Sequence, residues 1–185
     1  MSMPKLADAL AASRVLFDKD VLAEEISRLA DEIVDAYAED EVPLFLTVMN
    51  GGLPFAGQLA FALGERGLDL QFDYLHATRY RGRTQGSGLA WLHRPATSLR
   101  GRKVLLVDDI LDEGHTLLAV KQWCEDQDAA EVRIAVLAEK QHDRRVEGIS
   151  AEHVGVQVPD AYVFGYGMDY YEQGRNLSAI YALND

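Results

Sequence analysis

The sequence has little of what several classes of protein require. It contains one cysteine, Cys124, so no disulfide can form within the chain, and this fits a reducing cytoplasm. No apolar run approaches the roughly 20 residues that a membrane-spanning helix needs. Residues 1–10 carry one lysine and no apolar stretch of signal-peptide length. We therefore expect a cytoplasmic protein with no membrane partner, and we expect Cys124 to be a buried, inert thiol in a helix.

Positive charge is also scarce. The chain has 18 Lys and Arg residues against 30 Asp and Glu residues, a formal net charge of −12. A surface of this sign repels nucleic acid, so we expect no nucleic-acid partner. An anionic ligand would have to be held by local devices, namely backbone amides, a few Arg or Lys side chains, or a metal ion.

The chain does contain strand-length apolar runs that alternate with helical stripes. Apolar residues recur at helical spacing over 20–38 and again over 116–123. The apolar runs lie at 43–49, 104–107 and 132–138. This alternation predicts an α/β fold with a parallel, twisted sheet flanked by helices, and 185 residues suit a single domain. In such sheets, ligands bind beyond the carboxyl ends of the strands.

One strand-to-helix junction concentrates polar chemistry in the segment 104–116, VLLVDDILDEGHT. A buried strand is followed by Asp108 and Asp109. Gly114 then gives the backbone freedom to turn, and Thr116 supplies a hydroxyl where a helix begins. Amide groups at a helix N-terminus next to a glycine turn form an anion-binding cradle.

The acidic residues conflict with a simple phosphate site, because four of them lie within six residues: Asp108, Asp109, Asp112 and Glu113. The conflict disappears if the ligand carries both hydroxyl and phosphate groups and if Mg²⁺ enters with it. A Walker B aspartate would need a G-x-x-x-x-G-K-[ST] partner, which the sequence lacks. A solvated strand end and a phospho-acceptor aspartate stay open on these residues alone.

The segment VLLVDDILDEGHT resembles the ribose-phosphate-binding signature of the type I phosphoribosyltransferases. Asp112 resembles the acidic residue of the hypoxanthine-guanine, or 6-oxopurine, branch of that family. The resemblance extends over most of residues 15–183. Three further segments match in order and spacing: MNGG at 49–52, EK at 139–140, and PDAYVFGYGMDYYEQGR at 159–175. The family fold implies a core of about residues 40–150 with a small hood from about 1–20 and 151–185.

The resemblance also implies an activity and a set of roles. The activity is transfer of a phosphoribosyl group from 5-phosphoribosyl-1-diphosphate to hypoxanthine or guanine, with Mg²⁺, in a homodimer or homotetramer. Asp112 would be the catalytic base at purine N7. Ribose and 5′-phosphate binding would fall to Asp108, Asp109, Asp112, Glu113, Gly114, His115 and Thr116. Diphosphate binding would fall to Asn50, Gly51, Arg79 and Arg175, with a cis peptide before the glycine pair. Purine binding would fall to Lys140, Tyr162, Val163 and Asp169, and metal binding to Asp108, Asp109 and Asp169.

Several positions depart from the family pattern. Asp108 stands where many relatives have Glu, and Glu113 and His115 replace a commoner Thr and Lys. Asn50 replaces a Lys, so the phosphate-binding region loses two positive charges. Arg79, in a basic loop at 78–88 that resembles the family's flap, replaces a Ser. We expect these changes to alter affinity for the phosphoribosyl donor and to leave the reaction class unchanged.

Two alternatives use the same fold. The acceptor base could be xanthine, or the chain could be an RNA-binding regulator of pyrimidine operons. The acidic composition disfavours the regulator, because RNA binding needs a basic face.

Overall fold

The computed structural model describes residues 4–38, 41–79 and 89–184. Its helices are α1 (Leu6–Ala11), α2 (Lys19–Val34), α3 (Leu53–Glu65) and α4 (His115–Asp126). Five strands precede the last of these helices: β1 (Ser13–Phe17), β2 (Leu44–Val48), β3 (Gln71–Arg79), β4 (Leu89–His93) and β5 (Lys103–Leu111). Four strands follow it: β6 (Glu131–Lys140), β7 (His153–Val158), β8 (Val163–Phe164) and β9 (Ile180–Leu183). No helix in the described ranges is long and apolar enough to cross a membrane.

A six-stranded sheet in the order β4-β3-β2-β5-β6-β7 forms the centre of the molecule. Its strands pair in parallel, except that β4 runs antiparallel to β3 at one edge. The prediction of a parallel α/β sheet is therefore confirmed, with one antiparallel edge strand that the sequence did not indicate. Strand β2 is buried along its whole length, as expected for a parallel strand covered on both faces.

Helices cover both faces of this sheet, and the sheet separates the hydrophobic core into two layers. Alternate residues of β5 serve the two layers, because side chains along a strand point to opposite faces. Leu105 and Val107 pack in the layer that contains α2 and α3, whereas Val104 and Leu106 pack in the layer that contains α4. Cys124 of α4 is fully buried in the second layer, and burial raises the pKa of its thiol to about 12. The prediction of a buried cysteine is confirmed.

A second, antiparallel sheet of three strands, in the order β1-β9-β8, joins the two ends of the chain. These strands lie within the segments that the resemblance assigned to the hood. Residues 153–158 were assigned to the hood as well, but they form β7 at the edge of the large sheet. The reason is burial: Val156 and Val158 join the layer of α2 and α3.

Several strands extend farther than their apolar runs indicated. Strand β5 passes through the acidic motif to Leu111, because its parallel pairing with β6 continues to Leu111 and Glu139. Asp108 and Asp109 are thus strand residues, and the strand runs two residues beyond them before the expected turn. Strand β6 reaches Lys140, and β3 reaches Arg79 at the start of the predicted basic loop.

Candidate active site

A cavity of about 810 Å³ opens at the carboxyl ends of the parallel strands β2, β3, β5 and β6. The predicted site residues that line it are Asn50, Gly51, Asp108, Asp109, Asp112, Glu113, Gly114, His115, Thr116, Lys140, Tyr162, Val163, Asp169 and Arg175. The remaining predicted site residue is Arg79, whose side chain lies outside the described part of the chain, as do residues 80–88 of the predicted flap.

Two adjacent carboxylates, Asp108 and Asp109, lie where β5 meets the cavity. The Asp109 backbone N–H donates to Asp108 Oδ1 at 2.9 Å. Burial raises the pKa of Asp108 well above its usual range, and the neighbouring Asp109 raises it further. Burial also raises the pKa of Asp109, although Arg175 opposes this increase. Two acids in this setting are suited to bind hydroxyl donors or a cation, either of which would relieve their repulsion.

Glycines allow the segments around these carboxylates to approach closely. The Met49–Asn50 peptide bond is cis, as the resemblance implied. A Cβ atom on the next residue, Gly51, would overlap the Asp109 carboxylate. Gly167 has a φ of +106°, and a Cβ there would overlap the Gly51 carbonyl oxygen. Because these two positions have no side chain, the loop after β2, strand β5 and the C-terminal segment can pack closely together.

The turn at Gly114 leads directly into the N-terminus of α4. Gly114 has a φ of +81° and precedes the first helical residue, His115. The Leu118 N–H donates to the Gly114 carbonyl at 2.8 Å, so the amides of residues 115–117 come before the first helical hydrogen bond. An anion-binding role for these amides stays a prediction of the sequence. His115 Nε2 lies 3.7 Å from a carboxylate oxygen of Glu113, so its own partner here is acidic.

Asp112 lies just past the end of β5 and has a cationic and an aromatic partner. Lys140 Nζ donates to Asp112 Oδ2 at 2.7 Å, and His142 Nε2 lies 2.6 Å from Asp112 Oδ1. Burial acts to raise the pKa of Asp112, but the hydrogen bonds from Lys140 and His142 outweigh it and leave the pKa below its usual value. At neutral pH this carboxylate is ionised.

His142 is the residue of this group that the sequence did not reveal. It follows β6 by two positions, in the segment between Lys140 and Arg144. A polar residue directly beyond a buried parallel strand is a general signal for a site at that edge. This signal alone could not identify Asp112 as the partner of His142, because the two residues are 30 positions apart in the sequence.

Asp169 and Arg175 form an ion pair on the C-terminal wall of the cavity, with 2.7 Å between Arg175 Nη2 and Asp169 Oδ1. Arg175 also donates to the Gly167 carbonyl at 2.8 Å. The Tyr162 side chain is 46% exposed, and its hydroxyl donates to the Asp169 carbonyl at 3.2 Å. Any metal or ligand at Asp169 would therefore share that carboxylate with Arg175.

Within 4–38, 41–79 and 89–184, no group of three or more His, Cys, Asp or Glu side chains is arranged to hold a metal ion by itself. The paired carboxylates Asp108 and Asp109 fit a different arrangement. Mg²⁺ in phosphate-binding sites keeps several waters and takes only one or two protein carboxylates, with the substrate's phosphates as further ligands.

The family described as "Phosphoribosyl transferase domain" matches this chain over residues 16–173. The chain belongs to this family. Hypoxanthine-guanine phosphoribosyltransferase from Streptococcus pneumoniae is 32% identical over 173 residues, which cover 93% of both chains. The protein of the same name from Bacillus subtilis is 33% identical over 168 residues, covering 90% of this chain and 91% of the relative.

Solved structures agree with this assignment to the phosphoribosyltransferases. A structure of Trypanosoma cruzi hypoxanthine phosphoribosyl transferase superposes with a TM-score of 0.86 at 27% identity, covering 94% of this chain and 92% of the other. A ternary substrates complex of a lysine-to-arginine mutant of the same enzyme gives a TM-score of 0.87 at 28% identity and covers 94% and 97%. The family indicated by the VLLVDDILDEGHT motif is confirmed.

The raised pKa of Asp108 predicts that Asp108→Asn stabilises the ligand-free phosphoribosyltransferase. The folded-state pKa lies above the unfolded value, so the ionised carboxylate destabilises the fold once the pH exceeds that unfolded value. In EDTA at pH 7 we expect the free energy of unfolding to increase. Urea denaturation at pH 7 and at about pH 3, where the carboxyl is protonated in both states, tests this.

The matched control for that substitution is Asp69→Asn. Asp69 also accepts the N–H of the next residue, Leu70, at 2.9 Å, but it is exposed. It should change stability little. An Asp108→Asn protein that is less stable than wild type at pH 7, or equally shifted at both pH values, would contradict a destabilising effect of the ionised Asp108 carboxylate.

Proposed function

We propose that this phosphoribosyltransferase is a purine-salvage enzyme. It transfers the phosphoribosyl group of 5-phosphoribosyl-1-diphosphate to hypoxanthine and guanine, giving IMP and GMP and releasing diphosphate. The observation that carries this proposal is the pair of Asp112 and Lys140, which lie 2.7 Å apart beside the cavity. The names of the relatives from Streptococcus pneumoniae and Bacillus subtilis support it.

The Asp112–Lys140 pair matches the edge of a 6-oxopurine. Guanine presents N7 and O6 side by side, whereas adenine presents N7 beside an amino group that donates hydrogen bonds. An ammonium group can donate to O6, while the adjacent carboxylate exchanges a proton with N7. An adenine amino group would instead face the Lys140 ammonium, donor against donor. Tyr162 and Val163 supply the wall of the cavity against which the base would pack.

The ribose and its phosphates would occupy the other end of the cavity. The carboxylates of Asp108 and Asp109 would accept hydrogen bonds from the ribose hydroxyls. The loop from Asp112 to Thr116 would hold the 5′-phosphate on the amides at the start of α4. The diphosphate would lie against Asn50 and Gly51, with Arg175 able to pair with its oxygens. Arg79 would add a positive charge to this end of the site.

The proposed chemistry depends on charge. Positive charge develops on the ribosyl ring as the bond to diphosphate breaks, and the carboxylates of Asp108 and Asp109 stabilise that charge. Bound Mg²⁺, held by Asp108, Asp109 and Asp169, would neutralise charge on the leaving diphosphate. Asp112 is ionised at neutral pH and so is ready to accept the N7 proton as the new bond forms.

The proposal extends to assembly and location. We expect a homodimer or homotetramer in the cytoplasm. Large apolar side chains are exposed on α3 and β3: Leu53 is 55%, Phe61 75% and Phe72 61% exposed. Exposed apolar surface of this kind is suited to subunit contacts.

A panel of acceptor bases tests the function. With Mg²⁺ and 5-phosphoribosyl-1-diphosphate, we expect nucleotide formation from hypoxanthine and guanine, because both bases carry the N7–O6 edge. The change in absorbance measures each reaction. Xanthine has the same edge and tests the alternative acceptor. Adenine, orotate and uracil are the controls, and preferential turnover of any of these three would contradict the assignment of Lys140 and Asp112.

Asp112→Asn tests the proton-transfer role. The amide keeps the size and the oxygen that accepts from Lys140, but it cannot take a proton from N7. We expect kcat to fall by about 10²- to 10⁴-fold while the KM of the phosphoribosyl donor changes little. Asp126→Asn on the exposed end of α4 is the control and should behave as wild type. An equal loss in kcat and in donor affinity would show that Asp112 acts mainly in binding.

A further inference from the structure

We propose that His142 is a positioning residue for Asp112 and keeps that carboxylate aimed at the base when Lys140 also donates to the base. This inference rests on the proposed function, in which Asp112 accepts a proton from N7. His142 lies outside the sequence segments that resemble the family. It comes from a contact between the loop after β6 and the end of β5.

The two oxygens of Asp112 have different partners. Oδ2 accepts from Lys140 at 2.7 Å, and Oδ1 lies 2.6 Å from His142 Nε2. The side chain of His142 is 2% exposed, that of Lys140 12%, and that of Asp112 41%. Asp112 is therefore the accessible member of the group, and His142 is its buried support.

The tautomer of His142 follows from its second nitrogen. Nδ1 accepts the backbone N–H of Arg144 at 3.0 Å, so the ring proton must be on Nε2. Nε2 then donates to Asp112 Oδ1. Arg144 is held in turn by two hydrogen bonds of 2.7 Å to the carboxylate of Asp160. The loop that carries His142 is thus anchored at both of its ends, by β6 and by this ion pair.

The contact between His142 and Asp112 matters when a base binds. The Lys140 ammonium has three N–H donors, so it can donate to the O6 atom of a purine as well as to Asp112 Oδ2, and it is then shared between the two. His142 continues to hold Oδ1, which prevents the carboxylate from rotating and leaves Oδ2 facing the base. The neutral Nε2–H donor also leaves the negative charge on Asp112, which is then free to accept a proton at Oδ2.

Two substitutions separate hydrogen bonding from packing. His142→Leu keeps apolar bulk and removes the donor, whereas His142→Gln can place an N–H group near the position of Nε2. We expect His142→Leu to lower kcat for hypoxanthine by about 10- to 100-fold, as for loss of a hydrogen bond to a charged group, with the donor KM within about twofold of wild type. His142→Gln should restore most of that kcat.

The same substitution in the Asp112→Asn background decides whether His142 acts through Asp112. We expect His142→Leu to lower kcat there by no more than about twofold, because the residue that it positions no longer transfers a proton. An equal loss in both backgrounds, an unchanged kcat in the single variant, or a parallel rise in donor KM would overturn the proposal. Thermal unfolding of each variant checks that it is folded.

Two further comparisons keep the test decisive. If His142→Leu does not fold, His142→Gln is compared with the shorter His142→Asn, which should lose the kcat that Gln retains; equal values would overturn the proposal. Failure of the proposed function is recognised separately. A wild-type protein that forms no nucleotide contradicts the function, whereas an active wild type with fully active His142 variants contradicts only the positioning role.

Discussion

The structure depends on how it balances negative charge where the end of β5 meets the cavity. Asp108, Asp109 and Asp112 meet one cavity in a chain whose net charge is −12. Carboxylates in a low-dielectric site need compensation, and where it is incomplete their pKa values rise, as those of Asp108 and Asp109 do despite the nearby Arg175. Asp112 is compensated within the protein by Lys140 and His142, and its pKa falls. The site therefore contains one acid that the protein keeps ionised beside two whose ionised forms are disfavoured by burial.

This division matches the two ends of the proposed reaction. The compensated acid is at the end where a proton must be accepted from the base. The pair of Asp108 and Asp109 lies where hydroxyl groups, a cation and developing positive charge would arrive with the phosphoribosyl donor. The glycines at 51 and 167 allow these groups to share one cavity, because a Cβ at either position would overlap its neighbours. Gly51 and Gly167 contribute no functional side chain, but they determine how closely the segments that carry the site residues can approach each other.

Much of this arrangement could be predicted from the sequence, because its chemistry is local. Asp108, Asp109, Asp112, Gly114 and Thr116 lie within nine residues, and a strand followed by a helix brings such a segment to the edge of a parallel sheet. The contacts of His142 with Asp112 could not be predicted in this way, because they depend on the packing of separate loops. The extension of β5 to Leu111 also escaped prediction: polar residues interrupt the apolar run, but pairing with β6 continues.

In the proposed function, Asp108 and Asp109 make binding of the phosphoribosyl donor depend on a divalent cation. Titration calorimetry of 5-phosphoribosyl-1-diphosphate, with Mg²⁺ and with EDTA, tests it most directly. We predict that the dissociation constant in EDTA is at least about tenfold larger, because the anionic donor then meets Asp108 and Asp109 without a cation between them. Equal dissociation constants under the two conditions would contradict the role proposed for Asp108 and Asp109.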